Sequence, residues 1–287
     1  MSSNVRLLPC IAVAAVSLVG VLAGAPATAS PSDAGSVVLR NGPLGSGTGS
    51  SESQAPAAVT IDKWADHTVY RPADLGATRH PVVIWGNGTG VGPGYYEEWL
   101  LEHWAAAGFV VVAANTTMSN SGAEMLAGGR ELLRRNDKSD SVYYGKIATD
   151  RVAAAGHSQG GAGAINAGAD GMVRTVLALQ PGPLASPGRI LGPTLFLAGA
   201  EDRIVDTDLI VKPLFDKADQ VPAIFAELGG AGHLDGREYV DVMTDWLKYQ
   251  LLDDAAARAR FVGATCGLCT DSAWTRVDHN EKATTLG

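Results

Sequence analysis

Positive charge is scarce in this 287-residue chain: 22 Lys and Arg stand against 30 Asp and Glu, for a formal charge of −8. An acidic surface repels a phosphate backbone, so nucleic acid is not an expected partner. No stretch reads as a basic amphipathic helix, which argues against a role at a membrane surface. Cysteine is rarer still, at three residues. Cys10 falls in the amino-terminal segment, leaving Cys266 and Cys269. A zinc site on that pair needs two further ligands, and no His/Cys/Asp cluster has metal-ligand spacing, so neither metal nor cofactor is expected. Aromatic side chains make up only 6%, which limits the rings available for stacking. Internal repeats are absent.

The one long apolar run lies at the start. Arg6 precedes an uncharged stretch from Leu7 to Gly24, and Ala27-Thr28-Ala29 closes it with the small-x-small pattern of a cleavage site. This reads as a signal peptide over 1–29 and predicts a secreted protein with no membrane span in its mature form. A membrane anchor fits less well, because Gly20, Gly24 and Pro26 shorten the run and no basic stop-transfer cluster follows. Residues 30–56 are rich in Gly, Ser, Pro and Ala, too poor in apolar surface to offset their ordering entropy, and read as a flexible leader. Within them Val37-Val38-Leu39 offers an edge strand. The remainder, 57–287, has the length of one full-sized domain, expected as a monomer.

From about Val59 the pattern alternates strand, loop and helix. Thr68-Val69-Tyr70 suits an early antiparallel strand, and Pro81 to Trp85 is a continuous apolar run of the kind buried in a sheet. Tyr95 to Ala106 has helical spacing, and Gly108 to Ala113 is the next buried strand. Ala123–Arg135 and Gln159–Ala167 read as helices on either side of a short strand at Val152–Ala155. Strands follow at Val173–Leu179, Pro193–Ala198 and Ala223–Leu228, with helices at Leu209–Ala218 and Tyr239–Leu252. Such alternation predicts an α/β fold: a mostly parallel sheet with helices on both faces. No insertion is long enough for a large lid.

Gly156-His157-Ser158-Gln159-Gly160 matches Gly-x-Ser-x-Gly between an apolar strand and a small-residue helix. A serine exposed on such a turn needs a strained backbone, and the glycines let strand and helix approach. Its hydroxyl attacks only when a base removes the proton. On this kind of sheet the order is nucleophile, acid, histidine. Asp202 follows the strand ending at Ala198 and His233 the strand ending at Leu228, so Ser158, Asp202 and His233 form the expected set. Glu201 and Asp206 are the competing acids. His157 adjoins the serine but is expected to pack or hydrogen-bond elsewhere; His67, His80, His103 and His279 lie outside the base loop. A tetrahedral intermediate also needs amide donors for its oxyanion. Those are expected from Gln159 and from the loop Gly86-Asn87-Gly88-Thr89-Gly90, with Gly88 ahead of Thr89. The same loop lacks the Lys and spacing of a phosphate-binding loop.

With these motifs, the chain resembles the dienelactone-hydrolase and PET-hydrolase (bacterial cutinase) branch of the α/β-hydrolase superfamily. The likeness runs from Tyr70 to Leu252, through Pro81-Val82-Val83-Ile84-Trp85-Gly86, Ala107-Gly108-Phe109-Val110-Val111, the elbow, Pro193-Thr194-Leu195-Phe196 and Gly232-His233. It implies an α/β-hydrolase fold and cofactor-free hydrolysis of carboxylic esters. Two places depart from the branch, which grips aromatic units with a ring in the oxyanion loop and a Trp after the next strand. Here those places hold Gly88 and Gly182. Trp85 or Tyr95-Tyr96 are the nearby rings, with Trp85 drawn towards the core. Small or polymeric esters are therefore the expected substrates, aliphatic esters first and polyesters second. A serine peptidase on the same fold is the alternative. Cys266 and Cys269, beyond the last predicted helix of a secreted chain, are expected to form a disulfide.

Overall fold

The structure is a computed structural model that describes residues 57–93 and 97–284. The expected signal peptide, the leader with Val37-Val38-Leu39, and Tyr95-Tyr96 lie outside the described residues. Among the described residues, nine strands form one sheet: β1 (Val59–Lys63), β2 (His67–Pro72), β3 (His80–Gly86), β4 (Val110–Ala114), β5 (Ile147–His157), β6 (Thr175–Leu179), β7 (Thr194–Gly199), β8 (Ala223–Leu228) and β9 (Trp274–His279). Their spatial order is β1-β2-β4-β3-β5-β6-β7-β8-β9. The pairings from β4 through β8 are parallel, and β1, β2 and β9 pair antiparallel at the two edges. This is the expected α/β-hydrolase architecture.

The apolar runs explain the layering. Successive side chains of a strand point to opposite faces, so Val83 and Trp85 enter one core while Val82 and Ile84 enter the other. The first core is closed by α1 (Glu98–Ala106) and α5 (Val240–Leu252), through Trp104 and Trp246. The second is closed by α2 (Ala123–Asn136), α3 (Gln159–Ala167) and α4 (Lys212–Asp216), through Met125, Ile165 and Phe215. Trp85 is fully buried, edge-on to Trp104 at 5.6 Å, so it belongs to the core.

Three features differ from the expectation. The helix read over Leu209–Ala218 is a π-helical turn at Thr207–Val211 that passes into the short α4. Pro213 supplies no N–H, which interrupts a regular ladder. β5 begins five residues earlier than the strand read at Val152, with buried Ile147 pairing with His80 of β3 ahead of the polar Thr149 to Arg151. Beyond α5 the chain adds α6 (Ala255–Arg258), α7 (Gly267–Thr270), β9 and α8 (Glu281–Thr284), none of them read from the sequence. Cys266 and Cys269 are joined in a disulfide, as expected. His279 also lies there, its ring nitrogen within 4.8 Å of both sulfurs. Spacing had not revealed that third potential ligand, but the sulfurs are bonded to each other and His279 Nε2 is 2.6 Å from the Phe261 carbonyl.

Candidate active site

Parallel strands place their following loops on one edge of the sheet, and the predicted residues gather there. Ser158 follows β5 with φ 58° and ψ −123°, a left-handed conformation that costs a non-glycine residue energy. Its surroundings hold it so. The Ser158 amide donates to Leu179 O of β6 (3.0 Å), and Ser158 O accepts from Gly182 N (2.9 Å). The turn closes because three glycines meet beneath it. A Cβ on Gly160 would overlap the Gly86 carbonyl and stand 2.6 Å from Asn87 O; one on Gly156 would stand 2.9 Å from Gly86 O.

Asp202, in the loop after β7, and His233, in the loop after β8, complete a chain of hydrogen bonds. His233 Nδ1 is 2.7 Å from Asp202 Oδ2, and His233 Nε2 is 3.0 Å from Ser158 Oγ. A carboxylate accepts, so Nδ1 carries the proton and Nε2 presents its lone pair to the serine hydroxyl. All three residues are buried. Burial pushes the Asp202 carboxyl up, but the hydrogen bond from His233 and the amides of Val205 and Ile204 outweigh it and hold it below the usual value. Glu201 is exposed, and Asp206 is spent on its own backbone, accepting from the amides of Asp208 and Leu209. Neither competes with Asp202 for the histidine.

Gly88 and Thr89 line a cavity of about 320 Å³ together with Val91, Glu97, His157, Ser158, Ile204, His233 and Leu234. A second cavity of about 280 Å³ also reaches Ser158, lined in part by Met118, Gln159, Gly182, Pro183 and Leu184. Ser158, Thr89 and Ile204 border both. The Gln159 side chain spans elbow and glycine loop, donating to Thr117 O (2.5 Å) and Gly88 O (3.4 Å).

The remaining histidines, His103 apart, have other partners. His67 and His80 bond backbone carbonyls, and His103 is an exposed residue of α1. His157 turns away from the serine: Nδ1 lies 3.0 Å from Glu97 Oε1 and Nε2 2.9 Å from the His233 carbonyl. Glu97 was not anticipated, and no local pattern marks it, since its partner is 60 residues away.

A family model described as PET hydrolase-like matches residues 40–279. The chain belongs to the PET hydrolase-like family. It is also 28% identical over 186 residues to a protein named Cutinase est2 from Thermobifida alba, covering 60% of this chain and 61% of that one. Lipase 1 from Moraxella sp. (strain TA144) is 30% identical over 147 residues, covering 49% of this chain and 46% of the lipase. The chain thus spans between about half and three fifths of the length of these relatives. Gly88, in the loop after β3, and Gly182, in the loop after β6, carry no side chain at those two positions.

Proposed function

We propose that this protein is a secreted serine hydrolase of carboxylic esters that works through an acyl-enzyme. The observation that carries the reading is the unbroken Asp202–His233–Ser158 hydrogen-bond chain opening into a cavity. His233, oriented by Asp202, takes the proton as Ser158 attacks the ester carbonyl. The amides of Gln159 and Gly88 receive the oxyanion, with Thr89 the second candidate for the latter place. The imidazolium returns its proton to the departing alcohol, and water releases the acyl group by the same route. The cutinase and lipase names of the relatives agree with this chemistry, and the catalytic domain is taken as 57–287.

Aliphatic esters are the proposed substrates. The two cavities are bordered by Val91, Ile204 and Leu234 on one side and Met118, Pro183 and Leu184 on the other, and His157 and His233 are the only rings among their described lining residues. Aliphatic walls bury acyl chains in proportion to apolar area, whereas a flat aromatic unit gains most from a facing ring. Polyesters are the second reading, favoured by the family match. The test is hydrolysis of p-nitrophenyl acetate, butyrate and longer esters by the purified mature protein. Ser158→Ala is expected to lower kcat by about 10⁴-fold or more, and turnover at the wild-type rate would overturn the proposal. Secretion is checked separately by sequencing the amino terminus of protein from the culture medium, expected to begin near Ser30.

A further inference from the structure

The Glu97–His157 pair has no part in the cycle described above, yet it touches the base. Both side chains are buried, at 6% and 5% exposure. A carbonyl oxygen only accepts, so the contact between His157 Nε2 and the His233 carbonyl requires the proton on Nε2. The contact between Nδ1 and Glu97 Oε1 then requires one proton between those two atoms, carried by either. Glu97 thus holds the imidazole in the one arrangement that aims an N–H at His233. Without it, the other neutral tautomer would set a lone pair against that carbonyl.

The base loop needs such support. Residues 229–236 include four glycines, and their backbone has few side chains to pack. Gln180 Nε2 donates to Gly232 O (2.8 Å) and Asp235 accepts from Gly232 N (2.6 Å), but His233's own carbonyl is met by His157. The two imidazole rings also lie 4.7 Å apart. Helix α1 braces the far end of the loop as well, where the Arg237 guanidinium sits 4.4 Å over the Trp99 ring.

We infer that Glu97 and His157 are positioning residues for His233: Glu97 fixes the tautomer of His157, and His157 anchors the base through its main-chain carbonyl. This stands on the reading of His233 as general base. Asp202 orients the ring of His233 from one side, and this second acid–imidazole pair orients its backbone from another.

The experiment compares Glu97→Ala and Glu97→Gln on p-nitrophenyl butyrate, with Ser158→Ala alongside. Glu97→Ala is expected to lower kcat about tenfold with KM within about twofold of wild type, since sub-ångström displacement of a base is felt in the chemical step. Glu97→Gln should recover kcat to within about twofold, because its amide N–H can donate to Nδ1 and preserve the tautomer. Wild-type kcat in Glu97→Ala, a loss confined to KM, or a Gln variant as slow as Ala would each overturn the inference. Should Glu97→Ala fail to fold, the double variant Glu97→Leu/His157→Phe replaces the buried polar pair with apolar groups and leaves the His233 carbonyl without the donor on which the inference rests. It is expected to melt below wild type yet to turn over about tenfold more slowly at 25 °C where it is folded; wild-type kcat in the folded variant overturns the proposal. Turnover in Ser158→Ala would instead remove the serine mechanism on which the inference stands.

Discussion

Substituting Gly160 by Ala tests whether close backbone approach builds the elbow. The new Cβ would overlap the Gly86 carbonyl and lie 2.6 Å from Asn87 O, where ordinary contact begins at 3.4 Å. At least 0.8 Å of movement is therefore needed against Asn87 alone. The obstacles are main-chain atoms on β3 and the loop after it, which cannot rotate aside as a side chain would. Overpacking typically costs about 1–3 kcal/mol, and a backbone obstacle on two sides puts this site at about 3. For a domain of this size each kcal/mol shifts melting by about 2–4 °C, so Gly160→Ala should melt about 6–12 °C below wild type in scanning calorimetry. Gly171→Ala is the control, since a Cβ there meets nothing within 4 Å, and it should stay within about 2 °C. At 25 °C the Gly160 variant should also lose about tenfold in kcat, because the displaced carbonyls lead directly to Gly88. A Gly160→Ala protein that melts within 2 °C of wild type and turns over normally would refute the reasoning.

Three further outcomes are expected. Gly182→Trp should lower KM on an aromatic polyester or its model ester about two- to tenfold, the value of one stacked ring, because a Cβ at Gly182 meets only ordinary contacts from 3.6 Å; an unchanged KM would refute the proposed assignment of this loop to substrate contact. Reducing Cys266–Cys269, which closes a loop of sequence separation 3, should remove about 2 kcal/mol and lower melting by about 4–8 °C. It should leave kcat at 25 °C intact, since the cavity at Cys269 shares no lining residue with those at Ser158. The third concerns acid. Burial raises the Asp62 carboxyl, but hydrogen bonds from Arg71 and Tyr143 outweigh it, and Asp62 and Asp202 are both held below the usual carboxylate range. A carboxyl depressed in the folded state contributes stability above its unfolded value and loses it as pH falls through the folded one. Melting should therefore be flat down to about pH 5 and decline below about pH 4, with a shallower decline in Asp202→Asn; an identical acid limb in that variant would refute the link.

What could be read in advance follows from the range of the signals. The central strands were legible because burial on both faces demands continuous apolar runs such as Val82-Val83-Ile84-Trp85 and Ala223 to Leu228. β9 was not, because Trp-Thr-Arg-Val-Asp-His is a half-buried edge strand with two charged residues, defined by its pairing with β8 and not by its composition. The polar start of β5 was hidden for the same reason: Asp150 is exposed, and only the register with β3 makes that segment a strand. Ser158, Asp202 and His233 were legible because each follows a recognisable strand, and parallel strands bring their ends to one edge. Glu97 was invisible, because its meaning depends on a contact with His157 that no spacing encodes.

The same distinction bears on substrate choice. The reacting geometry is set by main-chain approach among Gly86, Gly156 and Gly160, where almost any added atom collides. On the proposed reading, the substrate side is formed by exposed aliphatic tips: Leu184 and Ile204 are each 67% exposed, Leu234 60% and Met118 54%. Fully covering one such side chain is worth about 1.5–3 kcal/mol, so an acyl chain that covers part of several gains affinity with length. Aliphatic contact is non-directional, however, and cannot hold a planar ring in one orientation as a facing aromatic does. Chain-length preference and aromatic preference are therefore separable here. On the proposed reading the first would reside in residues already at the rim and the second in rings absent at Gly88 and Gly182, so the Gly182→Trp variant should gain on aromatic esters without losing its ranking of aliphatic ones.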